Sequence, residues 1–410
     1  MNRLILVGNG FDLAHGLKTS YKDFIDDFWE NELKQLQLGV YMTNQKLNHI
    51  ELTVNYSSSF ILEFSKNYSD LIFETKLNSI NIIFENDFLK LITKKSYDNW
   101  VDIENEYYTI LKNCDQGQID NLNKNFNEVK MLFTEYLNKI PKEASNINII
   151  ENHICSQIKY NDLSAIYNDN LIEEILKKIN TNLVEILNDN ITANNIENDE
   201  ERELILRIRD LISKKTEKEV IKDLLLSGQK SLCKILNLNP ESILILNFNY
   251  TNITDNYVGR TAGYECNSNI SINHIHGELN NEKNPIIFGF GDDIDEHYKK
   301  FENLNENRYL DFFKSIAYLQ TSNYKKLLEF INGEDFQVFI FGHSCGISDR
   351  TMLNTIFEHD NCTSVKPFYH KRKDGTDNYT DIVQNISRNF NDKKKFRDRV
   401  VNRTDCESLT

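Results

Sequence analysis

The sequence predicts an α/β fold: a mostly parallel sheet covered by helices on both faces, with a large helical insertion between the first and second strands. Three observations carry this. Short β-branched or aromatic runs that end in turns occur at residues 4–7, 242–246, 270–275, 285–288 and 336–341. They alternate with segments of helical periodicity, the pattern of strand–helix–strand units whose sheet is buried on both sides. Between Gly39 and Gly228 only Gly117 and Pro141 interrupt the chain, so the residues that break helices are almost missing there.

Taken in order, residues 1–40 supply the first strand, a glycine turn and a helix. Residues 41–238 read as the helical insertion, with Leu204, Ile205, Ile208, Leu211 and Ile212 at helical spacing and a looser Asn- and Asp-rich stretch at 188–199. Residues 239–410 return to the α/β pattern. Pro367 cannot donate to a ladder, which makes the run 364–369 an edge strand. In such sheets ligands bind beyond the carboxyl ends of the strands, where these turns lie.

Composition narrows the function classes. The 410 residues exceed the roughly 250–300 at which one core stops growing, so one domain with a big insertion and two domains are both open. Charged residues at 27% and hydrophobic ones at 40% are ordinary globular usage. No apolar run approaches the ~20 residues that span a bilayer, and the opening Arg3-Leu4-Ile5-Leu6-Val7 has no secretory pattern. A cytoplasmic location without membrane contact is expected. The 7 cysteines are odd in number and never spaced C-x-x-C, which suggests neither a disulfide framework nor a zinc cage, and no metal is expected. A net charge of −15 opposes binding to long nucleic acid, and the basic run 393–397 reads as a solvated helix face or tail.

The chemistry-bearing residues sit in the turns. Gly8-Asn9-Gly10-Phe11-Asp12 follows the first strand; glycines there let backbone N–H groups approach a phosphate, although an ordinary tight turn uses the same residues. Asn247 and Asn249 alternate on an extended segment and point the same way, either toward ribose hydroxyls or to cap the next helix. His274 and His276 share a face; His276, beside Gly277 at a strand end, suits general-base chemistry near neutral pH. Phe288-Gly289-Phe290-Gly291-Asp292-Asp293 is a second glycine-rich turn with two carboxylates.

The last turn, Gly342-His343-Ser344-Cys345-Gly346, matches the G-x-S-x-G nucleophile elbow, with Ser344 as nucleophile and His359 or His370 as base. Only 64 residues follow Gly346, too few for the strands that order requires, and Asp349 is too near in sequence to be the separate acid. The same turn serves as a phosphate or ribose cradle, with Asp349 capping the helix that follows.

Together the turns resemble the AbiH family of bacterial abortive-infection proteins. The matching pieces are 6–12 with 19–24, the segment from Trp100 to Glu104, the Asn247-to-Thr251 turn, 274–277 and the Gly342-to-Asp349 turn. AbiH proteins in turn look like distant relatives of the sirtuin-like, Rossmann-like NAD-binding fold, which defence systems use to destroy NAD. The resemblance implies that Gly8 and Gly10 cradle the dinucleotide and that Asn249 holds the nicotinamide ribose. It places His276 in the catalytic site and Gly342, His343 and Ser344 against the adenosine half; Asn9, Phe11, Asn247, Gly289 and Asp349, from the same set of turns, complete the expected cofactor-binding residues. Two departures stand out: Thr251 occupies the position of an Asp common in the wider group, and Asn9 replaces a small residue. The missing zinc cysteines argue against a deacylase.

These implications converge on an anti-phage effector that hydrolyses NAD, as substrate, between nicotinamide and ribose. Asn249 positions ribose or water, His276 acts as general base, and Asp12 or Asp292 stabilises developing positive charge. Glu104 reads as a surface helix acid, with a place in the same pocket as the other reading. A non-catalytic nucleotide sensor or assembly module, and a nuclease holding metal on Asp12, His15, His276, His343 and Asp349, are the rival readings. Restraint before infection implies a homo-oligomer and a phage-derived or co-encoded activator.

Overall fold

The computed structural model describes residues 1–38, 44–46, 49–54, 80–98, 102–141, 144–165, 239–258 and 268–410, with short pieces between 167 and 226. Its main sheet has five parallel strands. In chain order these are β1 (Asn2–Val7), then β5 (Ser242–Asn247), β6 (Asn269–His274), β7 (Phe336–Phe341) and β8 (Cys362–Phe368), arranged in space as β6-β5-β1-β7-β8. The intervening numbers belong to a small antiparallel sheet of β2 (Asn44–Lys46), β3 (Ile50–Val54) and β4 (Ile80–Phe84).

The period of two along each strand explains why both faces are covered. Leu4 and Leu6 point with Leu244, Leu246, Val338, Ile340 and Val365 into one core, while Ile5 and Val7 point with Ile243, Ile245, Phe339, Phe341 and Phe368 into another. A strand apolar on both sides is stable only between two layers. β8 lies at an edge, where Pro367 is tolerated opposite Ile340. Its outer side is partly closed by the C-terminal segment through bridges Val365–Val400 and Tyr369–Ser408.

The helices Tyr21–Leu38, Asp87–Asp98, Ile103–Leu111 and Ile119–Asn138 gather a third, aromatic core around Trp29, Phe88, Tyr107, Tyr108 and Phe126. Phe288, Phe290, Phe301 and Phe313, from the C-terminal part of the chain, are members of that core. The Tyr108 and Phe290 rings stack at 3.8 Å between centroids, and Phe126 and Phe288 stack at 5.1 Å. The helical block is therefore welded to the segment that follows β6.

Two expectations need correction. The interval taken as helical contains β2–β4: Ile50-Glu51-Leu52-Thr53-Val54 and Ile80-Asn81-Ile82-Ile83-Phe84 are rich in β-branched and aromatic residues, which favour a pleated surface. The scarcity of glycine and proline hid them. Residues 285–288 form no strand. Their carbonyls are met by side chains instead, Lys130 Nζ donating to Ile286 O at 3.2 Å and Tyr250 Oη to Ile287 O at 3.2 Å, while Phe288 turns into the aromatic core. The spacing at 204–212 and the stretch 188–199 lie outside the described residues. Among the described residues no helix is long and apolar enough to cross a membrane, and Cys114, Cys345, Cys362 and Cys406 are free thiols.

One charged pair lies inside the sheet layer. Lys366, on β8, places Nζ 3.1 and 3.0 Å from the two oxygens of Asp162, with both side chains 2% exposed. Removing one partner strands the other charge, whereas removing both does not. Lys366→Met should lower unfolding free energy by about 3–5 kcal/mol in urea denaturation, and adding Asp162→Leu should restore most of it.

Candidate functional site

The chain winds outward from β1 to β5 and β6 in one direction and to β7 and β8 in the other, so the strand order reverses between β1 and β7. At such a switch point the connections leave a crevice beyond the carboxyl ends of the strands. A cavity of about 760 Å³ opens there, within the range of roughly 300–1,000 Å³ usual for small-molecule sites. Gly8, Asn9, Gly10 and Asp12 line it from the first turn and Asn249 from the second. His276 comes from the third, and Gly342, His343, Ser344 and Asp349 from the last.

The glycines make this convergence possible by letting two turns interlock. A Cβ on Gly8 would lie 2.5 Å from His343 Cα, and one on Gly10 would lie 2.9 Å from Gly342 Cα. Gly342 has φ +68, and its Cβ would fall 2.2 Å from the Phe11 nitrogen. The backbone of the first turn is satisfied by this contact: Gly8 N–H donates to Phe341 O at 3.1 Å, Gly10 N–H to Gly342 O at 2.9 Å and Phe11 N–H to Gly8 O at 2.9 Å. The Gly8 and Gly10 amides hold the two turns together and the Phe11 amide closes the first turn on itself, so none of the three is open to a phosphate as the sequence suggested.

Asp12 is the centre of a buried knot. Asn249 Nδ2 donates to Asp12 Oδ1 at 2.8 Å and to Gly8 O at 3.1 Å, while Thr251 Oγ1 donates to Asp12 Oδ2 at 2.7 Å. Asp12 is 1% exposed. Burial raises its pKa to about 6, against the opposing pull of the Thr251, Asn249 and Thr19 hydrogen bonds. Asn249 is itself aimed by Asn247, whose Oδ1 accepts the Asn249 backbone N–H at 3.0 Å.

A second network lies beside it. Lys314 Nζ, fully buried, sits 3.0 Å from Glu104 Oε2 and 2.9 Å from Asp349 Oδ1. Burial alone would lower the ammonium's pKa, but Asp349 and Glu104 outweigh it and raise it. Asp349 is driven well below the usual carboxylate range: burial opposes this, and Lys314 with His276 and His343 overcomes it. Glu104 is lifted to about 7 by burial, against Lys314, with Asp349 and Asp102 adding to the rise. His276 Nε2 lies 3.0 Å from Tyr318 Oη and 3.1 Å from Asp349 Oδ1. Burial and then Lys314 lower its pKa. His343 accepts the Cys345 N–H on Nδ1 at 3.0 Å and is pushed by burial to about 4, so it is neutral at physiological pH.

A family model described as Bacteriophage abortive infection AbiH matches residues 4–370, a span that contains β5–β8 whole and β1 from Leu4 onward. The chain belongs to the AbiH family. Membership supports a role in bacteriophage abortive infection. No curated protein and no solved structure matches the chain.

Several residues expected at the AbiH site are placed otherwise. Phe11 is buried in the core, its ring 4.5 Å from His15 and 5.6 Å from Tyr257, and does not line the cavity. Asn247 is also outside the lining, its Nδ2 holding Thr251 O, Thr254 Oγ1 and His274 Nδ1. The two amides thus part company: Asn249 faces the cavity, and Asn247 braces the turn without capping the helix that follows it. Gly289 acts one layer behind, its N–H donating to Glu104 Oε1 at 2.9 Å. Asp292 is likewise outside the lining and pairs with Arg350 at 3.3 Å.

Ser344 is exposed at the cavity wall, but the positive φ in its turn falls on Gly342 and Cys345, so it lacks the strained geometry of a nucleophile elbow. His15 is held by Phe11 O and Tyr257 Oη. Among the described residues no group of three or more His, Cys, Asp or Glu side chains is arranged to hold a metal.

Glu104 is a buried wall residue and not a surface acid. Lys314 and Tyr318 were missed altogether. The only local signal for Lys314 is a single charge closing the aromatic pair Phe312-Phe313, which has no spacing relation to any turn.

Two outcomes follow from this geometry. Gly342→Ala should cost more than about 3 kcal/mol, while Gly117→Ala, with open space around its Cβ, should stay within about 1 kcal/mol in the same denaturation assay. Because folded Asp12 has a raised pKa, its contribution to stability is full below the unfolded value near 3.9 and is lost as pH rises through about 6. Asp12→Asn keeps the Asn249 bond on its amide oxygen and can donate its N–H to Thr251 Oγ1, the hydroxyl then accepting, so by thermal melts it should be more stable than wild type by about 1–3 kcal/mol at pH 8 and equal to it near pH 4.

Proposed function

We propose that this AbiH protein hydrolyses NAD at the nicotinamide–ribose bond as the effector step of abortive infection. The observation that carries the reading is Asp12: a buried carboxylate at the switch-point cavity, aimed by Asn249 and Thr251 and with a pKa of about 6. In the wider sirtuin-like group an Asp is common where Thr251 stands. Here Thr251 donates its hydroxyl to Asp12, so the carboxylate reaches that place from the first turn.

In the reaction, a water oxygen bonds to C1′ of the ribose as the C1′–N bond breaks. The bonding pair goes to the pyridinium nitrogen, which leaves as neutral nicotinamide. Asp12 takes the proton from the attacking water and passes it to solvent, so the products are nicotinamide, ADP-ribose and one proton. Positive charge developing on the sugar is stabilised by Asp12 in a water-poor wall. Asn249 Oδ1, which has no hydrogen-bond partner among the described residues, faces the role of acceptor for a ribose hydroxyl. His276 takes a different part from the one its sequence position suggested: its Nε2 is engaged by Tyr318 and Asp349, so it shapes the wall and leaves the base role to Asp12.

Purified protein incubated with NAD, with and without extract of phage-infected cells, should release nicotinamide. Asp12→Asn should lower the rate on the order of 10²–10⁴-fold. The rate should climb with pH to about 6 and level off above it, as Asp12 ionises. NAD that stays intact under both conditions overturns the proposal.

A further inference from the structure

We infer that the cavity recognises the cationic N-glycoside half of its substrate, a positively charged aromatic base on its sugar, and draws no selectivity from phosphates. The inference rests on the NAD reading above and specifies which part of that molecule the protein reads. Four carboxylates, those of Asp12, Asp102, Glu104 and Asp349, line the cavity, and among the described lining residues there is no lysine or arginine. The nearest ammonium, Lys314, lies behind the wall and is committed to Glu104 and Asp349 at 3.0 and 2.9 Å. The amides of Gly8, Gly10 and Phe11, which a phosphate would need, are occupied by backbone carbonyls. Burial keeps His343 neutral.

Lys314 offsets one unit of this charge; the net negative charge that remains in a partly desolvated cavity attracts a cation and repels a phosphate, and both effects are stronger there than in water. The aromatic side chains of Tyr21, Phe248 and Tyr250 also line it, and aromatic faces favour a flat cation over an anion. A pyridinium riboside satisfies the carboxylates and the rings together. The pyrophosphate then extends toward solvent.

The test uses the full chain in calorimetric titrations at 4 °C with NAD, NADH, nicotinamide riboside and ADP-ribose, taking KM from initial rates for any ligand that is turned over. NADH keeps both phosphates and loses the ring's charge together with its aromaticity. Nicotinamide riboside keeps the charge and loses the phosphates. Nicotinamide riboside should bind within about threefold of NAD, and NADH and ADP-ribose at least about tenfold more weakly. Asp12→Asn should weaken the riboside about tenfold and leave ADP-ribose within about threefold.

Equal binding of NADH or ADP-ribose and NAD, or no binding of any of the four, overturns the inference. A riboside preference without nicotinamide release would keep this inference and remove the hydrolase reading. Nicotinamide release with equal binding of NADH and ADP-ribose would do the reverse.

Discussion

The contact between the turns after β1 and β7 is the constraint on which the site depends. Two chain segments more than 300 residues apart in sequence approach until backbone touches backbone, and no side chain fits between Gly8 and His343 or between Gly342 and Phe11. The approach sets where each chain continues: the first turn delivers Asp12, and the last delivers His343 and Asp349. It also consumes the amides that open glycine turns elsewhere offer to phosphates. The site is therefore built from side chains, and its electrostatics follow from which of them are buried together.

Burial decides the character of those side chains. Lys314, Glu104 and Asp349 arise from the segment after β6, the helix Ile103–Leu111 and the turn after β7, and each would be costly alone in the interior. Joined, they tie the helical block to the sheet at the floor of the cavity. Breaking one member leaves the remaining charges uncompensated, so the arrangement behaves as a unit. The aromatic core reinforces it, since Tyr108 from the helix carrying Glu104 stacks on Phe290, two residues before Asp292. In this AbiH protein the helical block is thus part of the site's wall, through Asp102 and Glu104 beside Tyr21 of the first helix, and not an appendage to it.

Asp12 shows how environment sets chemistry. Three hydrogen bonds, from Thr251, Asn249 and Thr19, favour its ionised form, yet desolvation outweighs them and leaves the group titrating near 6, where it can hold or release a proton at physiological pH. Neighbouring Asp349 goes the opposite way because an ammonium and two imidazoles surround it. Two carboxylates in one cavity are separated in role by their partners.

The parallel strands, the edge position of β8 and the concentration of chemistry in four turns were determined by local sequence, because apolar runs, proline and glycine act through the backbone of the residues that carry them. The family was legible for the same reason: its signature lies in short contiguous turns. Tertiary structure alone decided the rest. The strands β2–β4 escaped because their interval holds almost no glycine or proline to mark where a strand ends, and 285–288 is buried by aromatic packing without a ladder. Phe11, Asn247 and Gly289 lie within the right turns but face away from the cavity, since a turn's local residues do not state which side is concave. Lys314, and its pairing with Glu104, were unreadable because a buried ion pair is a relation between distant residues, and its energy exists only once the interior has closed around both.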